Sequence, residues 1–342
     1  MYADFDPNAA TVCDGIFGLP HSAEDARVVL VPVPFDATTS YRKGASQGPR
    51  TILEASWQVD LWDSETGDPW SDGVAMLQEP ARVVMLNEEA RSLVAKVSNN
   101  EVYSADTIER VNAIGEEVTA WVYSTVKYWL ARGKTVGVVG GDHASPLGAI
   151  IAMAERCHGL GVLHIDAHAD LRVAYQGFAC SHASIMHNVL ARAPQVVRIT
   201  QVGLRDLCAN ERQTIRSDDR LRSFFDHDLA SEQFHGTPYA SLAHKIVQTL
   251  PQQVYVSFDI DGLDPSLCAS TGTPVPGGLS FQQASFLLGE VVRSRRRIVG
   301  FDLCEVAPSR EAAGVDRSES IDGIVGARML YKLIGWALLS AR

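Results

Sequence analysis

Six short apolar runs, rich in β-branched residues, recur along this chain of 342 residues. They lie at residues 28–33, 136–139, 161–165, 196–202, 254–260 and 298–306. Runs of this length without an alternating polar face are typical of strands buried on both faces of a sheet. Helical patterns separate them, notably at 107–130 and 280–292, where Ser280 and Gln283 have the spacing of a capping box. Strands that alternate with helices predict an α/β fold with a parallel central sheet.

No inter-domain linker interrupts this pattern, so we expect one domain over residues 28–342. Polar segments at residues 63–72 and 209–220 are typical of surface loops or short connectors. Residues 1–27 lack a clear periodicity, which favours an N-terminal extension that lies over the surface.

Acidic residues and histidines follow three of the predicted strands. They occur in the segments Gly140-Gly141-Asp142-His143, Asp166-Ala167-His168-Ala169-Asp170 and Asp259-Ile260-Asp261. Ligands bind beyond the carboxyl ends of strands in a parallel sheet. Residues two apart on an extended chain also share a face. We therefore expect these segments to converge, with Asp142 as a turn or supporting residue and His164 as a buried, hydrogen-bonded strand histidine.

This convergence predicts a metal site. Its candidate ligands are four carboxylates and two imidazoles, on Asp166, Asp170, Asp259, Asp261, His143 and His168. Four carboxylates buried together repel one another, and two histidines cannot neutralise them all, so a cation is required. A set without thiolate suits manganese or nickel. Two ions bridged by carboxylates polarise a shared water, which is hydrolase chemistry.

The charge balance limits the classes of partner. The chain has 41 acidic and 30 basic residues and a net charge of -11, which disfavours nucleic-acid binding. The one dense basic run, at 293–297, follows an amphipathic pattern and indicates a solvated helix end. No apolar run approaches the roughly 20 residues that cross a bilayer. We expect no membrane partner.

Cysteine usage and the first residues indicate the compartment. The six cysteines form no CxxC pair, which argues against a disulfide framework and a thiolate metal site. Residues 1–14 carry three aspartates and no basic run typical of a secretion signal. These features favour reduced thiols and a cytoplasmic location.

At the metal-ligand segments the sequence resembles the ureohydrolase family of arginases and agmatinases. The family's three signatures are matched by residues 140–143, 166–170 and 257–265. Residues 34–36, 40–42, 44 and 48–49 look like its N-terminal substrate-side region, and 272–274 with 277–278 look like the loop after its third signature. The resemblance covers roughly residues 28–340.

The resemblance implies a three-layer α/β/α arginase-like fold with a parallel central sheet and one ureohydrolase catalytic domain over residues 28–342. It implies two divalent ions per subunit, Mn²⁺ or Ni²⁺, and a hydrolase that acts on C–N bonds in linear amidines. The small-molecule guanidino substrate would yield urea and an amine or ammonia. The family usually forms homo-trimers or homo-hexamers, so we expect a homo-oligomer.

Residue roles carry over from the family at matching positions. One ion would be held by His143, Asp166, Asp170 and Asp259, and the other by Asp166, His168, Asp259 and Asp261, with Asp166 and Asp259 bridging. His182 is similar to the family's proton-shuttling histidine, and Glu305 to the glutamate that pairs with the guanidinium. A planar cation favours a carboxylate partner, and a departing amine requires a proton donor.

The substrate is less constrained than the chemistry. The polar loop with which arginases hold an amino-acid substrate is absent from residues 171–178, and Ala183 replaces the glycine usual in agmatinases. Residues 38–41, 52–56 and 181–184 look like the guanidine hydrolase branch, which favours guanidine or a small substituted guanidine. Agmatine fits the same catalytic set, and Arg172 is a candidate to bind the carboxylate of guanidinobutyrate or guanidinopropionate.

Two alternatives belong to other classes. One is a metal-dependent amide hydrolase or deacetylase on a related fold, whose site usually needs one zinc and fewer carboxylates. The other is a degenerate family member kept as a binding or assembly protein. Metal stoichiometry separates the first alternative from a ureohydrolase, and turnover separates the second.

Overall fold

Parallel strands form one central sheet in the computed structural model, which describes residues 5–8, 13–95, 103–309 and 320–342. The strands are β1 Val28–Val33, β2 Val74–Met76, β3 Thr135–Gly140, β4 Leu160–Ile165, β5 Val196–Leu204, β6 Leu221–Phe225, β7 Gln253–Asp259 and β8 Arg297–Cys304. Their order is β2-β1-β3-β8-β7-β4-β5-β6, and each neighbouring pair is parallel. The predicted parallel sheet is confirmed.

Helices cover both faces of this sheet. They are α1 Gly48–Ser56, α2 Ala81–Ala95, α3 Ala105–Ala131, α4 Leu147–Arg156, α5 Ile185–Arg192, α6 Ala209–Ser217, α7 Asp226–Phe234, α8 Tyr239–Val247, α9 Phe281–Arg293 and α10 Ile321–Ser340. In β1, Val28 and Leu30 enter a core that includes residues of α1 and α8 to α10, whereas Val29 and Val31 enter a core that includes residues of α2 to α5. Burial on both faces explains the continuous apolar runs and confirms the three-layer α/β/α fold.

The six predicted strands correspond to β1, β3, β4, β5, β7 and β8, whereas β2 and β6 were missed. Both missed strands lie at the edges of the sheet. β2 has three residues, and β6 is buried only at its first residue. An edge strand needs no long apolar run, because one side of it has no neighbouring strand to cover it.

The prediction of a loop or connector at residues 209–220 is wrong, because most of this segment is α6. The Glu211 Oε2 atom accepts a hydrogen bond from the backbone N–H of Cys208 at 2.9 Å, which forms part of a capping box. Only Glu211 is buried in α6, so the helix has no apolar stripe in its sequence. The capping box predicted for Ser280 and Gln283 at the start of α9 is confirmed.

Part of the predicted N-terminal extension is core rather than surface. Ile16, Phe17 and Leu19 are buried, and the ring of Phe17 lies 4.7 Å from that of Tyr331 between centroids. The Phe17 N–H donates to Ser56 Oγ at 2.8 Å. These contacts fasten residues 16–19 to α1 and α10, while the boundary at residue 28 stays a prediction.

The cysteines and the basic run agree with the sequence interpretation. All six cysteines are free. The basic run begins at the last residue of α9, where Arg293 pairs with Glu290 at 3.1 Å. Within the described ranges, no helix is long and apolar enough to cross a membrane.

The order of the central strands determines where a ligand can bind. β3 and β4 follow one another along the chain, yet β8 and β7 lie between them in the sheet. Such a change in winding direction leaves a crevice beyond the carboxyl ends of the strands. The carboxyl ends of β3, β8, β7 and β4 therefore lie side by side in one row. A predicted site residue is the last residue of β7 or lies shortly after the end of each of the other three strands.

Candidate metal centre

A turn at Gly141, directly after β3, positions His143. The Gly141 N–H donates to Val33 O at 2.8 Å, which continues the pairing with β1. A Cβ atom on Gly141 would lie 1.9 Å from Phe35 O. Because such a contact excludes a side chain, the turn requires glycine at this position, and the next residues enter the crevice.

His143 meets three carboxylates, two from the segment that follows β4 and one from the last residue of β7. Its Nδ1 atom lies 2.9 Å from Asp166 Oδ2. It also lies 3.2 Å from Asp170 Oδ2 and 3.3 Å from Asp259 Oδ2. The structure thus brings together the four residues that the resemblance assigned to one ion.

His168 lies in a neighbouring group. Its Nδ1 atom is 3.1 Å from Asp261 Oδ2 and 3.4 Å from Asp166 Oδ1. The Asp261 N–H donates to Asp259 Oδ1 at 2.8 Å. Asp166 therefore presents one carboxylate oxygen to each histidine, and Asp259 connects the same two groups.

The acidic residues titrate abnormally because they are crowded and buried. Burial, followed by the charge of Asp166, raises the pKa of Asp170 to about 6. Burial and the charge of Asp261 raise the pKa of Asp259 well above its usual range. Burial also opposes ionisation of Asp166, but the nearby histidines, His164 first, hold its pKa well below the usual range. Carboxylates that resist ionisation in each other's presence indicate a site with more negative charge than its histidines can balance.

The donor set fits divalent metal ions. The possible ligand atoms of His143, His164, Asp166 and Asp170 lie within 4.8 Å of one another, and so do those of Asp166, His168 and Asp261. Both groups offer only carboxylate oxygen and imidazole nitrogen, which suits manganese or nickel. Two neighbouring cations would neutralise the charge of these carboxylates.

Supporting residues orient these ligands from behind. Ser257 Oγ lies 2.9 Å from His143 Nε2, and the same hydroxyl donates to Asp302 Oδ1 at 3.2 Å. His164 Nε2 lies 2.9 Å from Asp166 Oδ2, which confirms the prediction of a buried, hydrogen-bonded histidine. Contacts of this kind fix the ring that binds a metal. Sequence reasoning missed Ser257, although its position two residues before Asp259 places it on the same face of β7.

Asp142 has the turn role expected for it. Its Oδ1 atom accepts a hydrogen bond from the Ala144 N–H at 3.2 Å, and its own N–H donates to Phe35 O at 2.7 Å. Two residues of the centre have left-handed backbone, Asp170 with φ 53° and Glu305 with φ 62°. This conformation is uncommon outside glycine and is concentrated at functional sites.

Glu305 follows β8 and lies beside the ligand cluster. Its Oε1 atom accepts a hydrogen bond from the His143 N–H at 3.1 Å. Its Oε2 atom is buried and has no hydrogen-bond partner among the described residues. Burial and the charge of Asp259 raise the pKa of Glu305 well above its usual range. A buried carboxylate oxygen without a partner is costly unless a ligand satisfies it.

His182 lies at the rim of the centre. Its Nε2 atom is 3.3 Å from Ser40 Oγ, and its ring lies 6.2 Å from that of Tyr175 between centroids. Burial, followed by the charge of His168, lowers the pKa of His182 to about 4. The imidazole is therefore neutral at pH 7 and can accept a proton.

Arg172 lies on the same rim but already has contacts of its own. Its Nε atom is 3.8 Å from Glu211 Oε2, and its guanidinium carbon lies 4.9 Å from the centre of the Tyr175 ring. Its side chain is 36% exposed, whereas that of Glu211 is buried. A substrate carboxylate would have to compete with Glu211 for this cation.

A sequence profile of the arginase family matches residues 26–335 of this chain. The chain belongs to the arginase family. Enzymes of this family are hydrolases of C–N bonds in linear amidines and use a binuclear metal site, with which the two ligand groups agree.

Relatives within the arginase family match nearly the whole chain. It is 32% identical over 320 residues to N(1)-aminopropylagmatine ureohydrolase of Thermus thermophilus, which covers 93% of this chain and 92% of the relative. It is 26% identical to the agmatinase of Pyrococcus horikoshii, over 100% of this chain and 98% of the relative. The solved proclavaminate amidinohydrolase of Streptomyces clavuligerus has the same fold, with a TM-score of 0.70, 24% identity and coverage of 95% and 97%.

We expect Mn²⁺ to stabilise this arginase-family protein more at pH 8.5 than at pH 6.5. The Asp261 and Asp166 carboxylates outweigh burial and raise the pKa of His168 from 6.5 to about 12. The protonated His168 ring stabilises the metal-free fold. This contribution to the free energy of unfolding is complete below pH 6.5 and is lost as the pH rises towards 12. Mn²⁺ needs the unprotonated ring, so it competes better at high pH.

Thermal unfolding with and without Mn²⁺ at both pH values measures this effect. The gain in Tm should be larger at pH 8.5 by on the order of 5 °C. His168→Ala should reduce the difference, and His227→Ala, which changes an exposed ring, should leave it intact. Equal gains at the two pH values would show that proton release from His168 is not coupled to metal binding.

Proposed function

We propose that this protein hydrolyses a guanidino compound to urea and an amine or ammonia, with guanidine or a small substituted guanidine as the leading substrate. The unpartnered Oε2 atom of Glu305 carries the proposal. It is a buried carboxylate oxygen beside the ligand cluster, and a guanidinium offers the planar, cationic donor that such an oxygen requires.

The six metal-ligand candidates would hold two divalent ions. His143 and Asp170 would serve one ion, His168 and Asp261 would serve the other, and Asp166 and Asp259 would serve both. We propose Mn²⁺ or Ni²⁺, since the set contains no thiolate. When bound, the ions supply an activated water as the nucleophile near neutral pH.

The remaining steps fall to two side chains. Glu305 accepts hydrogen bonds from the guanidinium through Oε2 and orients the guanidino carbon towards the centre. His182, neutral at pH 7, accepts the proton that the nucleophilic water loses and passes it to the departing nitrogen as the C–N bond breaks. Its contact with Ser40 at 3.3 Å holds the Nε2 atom at the rim, where a leaving group departs.

The rim supports a small substrate. Ser40 and Tyr175 both lie against His182, the proposed proton donor. These two side chains limit the space beside His182 in which the tail of a larger substrate could lie. Arg172 is engaged by Glu211 and by the Tyr175 ring, which makes it a poor partner for a substrate carboxylate. Guanidinobutyrate and guanidinopropionate therefore rank below guanidine and its methylated forms.

A second candidate substrate is N(1)-aminopropylagmatine or agmatine. The likeness to relatives with these names favours it, because the first of them is 32% identical over most of both chains. The two candidates share the metal centre, Glu305 and His182. They differ in the length and charge of the tail that would extend past Ser40 and Tyr175.

Urea release by protein loaded with Mn²⁺ or Ni²⁺ tests the proposal. The panel contains guanidine, methylguanidine, agmatine, N(1)-aminopropylagmatine, arginine, guanidinobutyrate and guanidinopropionate, ranked by kcat/KM. We expect guanidine or methylguanidine to rank first and arginine to rank last. Acetylated amines belong in the same panel, because their hydrolysis without urea release would favour the deacetylase alternative.

Arg172→Gln is the matched variant for the substrate tail. We expect its kcat/KM for guanidine to stay within about threefold of wild type, since Arg172 already has a carboxylate partner. Arg132→Gln, which removes a guanidinium stacked on Tyr128 outside the centre, is the control. A selective rise in KM for guanidinobutyrate in Arg172→Gln would instead assign Arg172 to substrate carboxylates. Absence of urea from every compound would refute the ureohydrolase function.

A further inference from the structure

Arg205 directly follows β5 and is fastened to one of the ligand segments by its backbone. Its N–H donates to Ala167 O at 2.8 Å, and the N–H of Asp206 donates to the same oxygen at 3.1 Å. Ala167 lies between the ligands Asp166 and His168. The backbone of Arg205 therefore has a fixed position relative to both of them.

The Arg205 side chain reaches a second ligand segment. Its Nη2 atom donates to Asp261 O at 2.7 Å and to Leu263 O at 3.2 Å, and its Nη1 atom donates to Gly203 O at 3.1 Å. These acceptors are neutral carbonyl oxygens. The guanidinium is thus used here for its rigid set of donors, which can hold several backbone segments at once.

A third segment, the loop before α9, is held by the same guanidinium. The Nε and Nη2 atoms donate to Val275 O at 3.2 and 2.9 Å. From this loop, Thr273 Oγ1 donates to Asp261 Oδ2 at 3.3 Å. Gly278 has φ +101°, and a Cβ there would lie 2.9 Å from Nη2. The close approach of this loop to the guanidinium therefore requires glycine at position 278.

We propose that Arg205 is a positioning residue for Asp261, and through it for the metal ion on the His168 side of the centre. The inference rests on the proposed two-ion function. Arg205 holds the Asp261 carbonyl directly. It also holds, at Val275 O, the loop from which Thr273 donates to the Asp261 carboxylate. The ion served by His143 and Asp170 has no such dependence, since none of the carbonyls bonded to the guanidinium belongs to those residues.

Lysine keeps the charge at this position but cannot span four carbonyls. We expect Arg205→Lys to weaken the binding of one Mn²⁺ ion about 10- to 100-fold. The other ion should stay within about threefold, because it shares no contact with the guanidinium. A merely structural role would weaken both ions together.

Calorimetric titration of the metal-free full-length protein with Mn²⁺ gives the two affinities. Electron paramagnetic resonance shows whether one ion is lost, because two neighbouring Mn²⁺ ions are magnetically coupled and a single ion is not; comparison with variants of each ligand group identifies the lost ion. The spectrum of Arg205→Lys with one equivalent of Mn²⁺ should match that of His168→Ala rather than that of Asp170→Asn.

Arg296→Lys is the matched control. Arg296 donates from Nε to Leu250 O at 2.9 Å. It directly precedes β8, so it lies at the amino-terminal ends of the strands, whereas the metal-ligand candidates lie at their carboxyl ends. Its substitution should leave both Mn²⁺ affinities and the coupled spectrum unchanged.

Normal binding of two ions by Arg205→Lys, or equal weakening of both, would overturn the inference while leaving the proposed function intact. If Arg205→Lys does not fold, Thr273→Val is the second variant, because it removes the hydrogen bond from this loop to the Asp261 carboxylate. It should weaken the same ion by a smaller factor, and an unchanged affinity would overturn the inference. Wild-type protein that binds fewer than two Mn²⁺ ions would refute the two-ion proposal and this inference together.

Discussion

Asp261→Asn is expected to lower kcat/KM for the best substrate by about 1000-fold or more, because one of two ions that activate water is lost. Asp261 Oδ2 lies 3.1 Å from His168 Nδ1, in the group that would hold this ion. Asparagine has nearly the same shape but no charge. The fold should survive, and circular dichroism of the metal-free protein should be unchanged.

Metal content per subunit, measured with urea release at saturating Mn²⁺, checks this result. We expect close to two ions in wild type and close to one in Asp261→Asn. Asp264→Asn is the control, since that carboxylate caps a turn through Ser266 and lies outside both ligand groups. Full activity in Asp261→Asn would be incompatible with a two-ion mechanism.

His182→Ala is expected to lower kcat by about 100- to 1000-fold, a typical loss for a general acid or base. KM should change little, because Glu305 and not His182 binds the guanidinium in this mechanism. The Nε2 atom of His182 faces Ser40 at 3.3 Å and no metal-ligand carboxylate within hydrogen-bond distance, so both ions should remain bound.

Steady-state kinetics of urea release separate kcat from KM in this variant. Added imidazole should restore part of the activity if the missing group transfers a proton. His227→Ala changes a histidine that is 91% exposed, and it should retain wild-type kcat. An unchanged kcat in His182→Ala would remove this residue from the proposed mechanism.

The central strands were predictable because each is buried on both faces, which leaves a continuous apolar run such as residues 28–33. The edge strands β2 and β6 leave a weaker signal because one side of each has no strand to cover it. Helix α6 escaped prediction for a different reason. Its only buried residue is Glu211, so its helical periodicity contains no apolar face to detect.

The same contrast applies to the site. The convergence of the candidate ligands was predictable because carboxylates and histidines recur at strand ends with a spacing of two residues. Ser257 and Arg205 could not be selected in this way, since serine and arginine are common and their roles depend on what they contact. Arg172 has a carboxylate neighbour that sequence reasoning did not anticipate, because Glu211 lies 39 residues away in a segment predicted to be a loop.

By itself the sequence predicted the chemistry of this protein: which side chains are candidates to bind divalent ions, that this candidate set lacks thiolate, and that the strands supporting them are parallel and buried. These are local properties of composition and period. Only the tertiary structure decided that β8 and β7 lie between β3 and β4, so that the His143 N–H reaches Glu305 across 162 positions of the chain. Strand order depends on how helices pack over long sequence separations, and no local pattern encodes that packing.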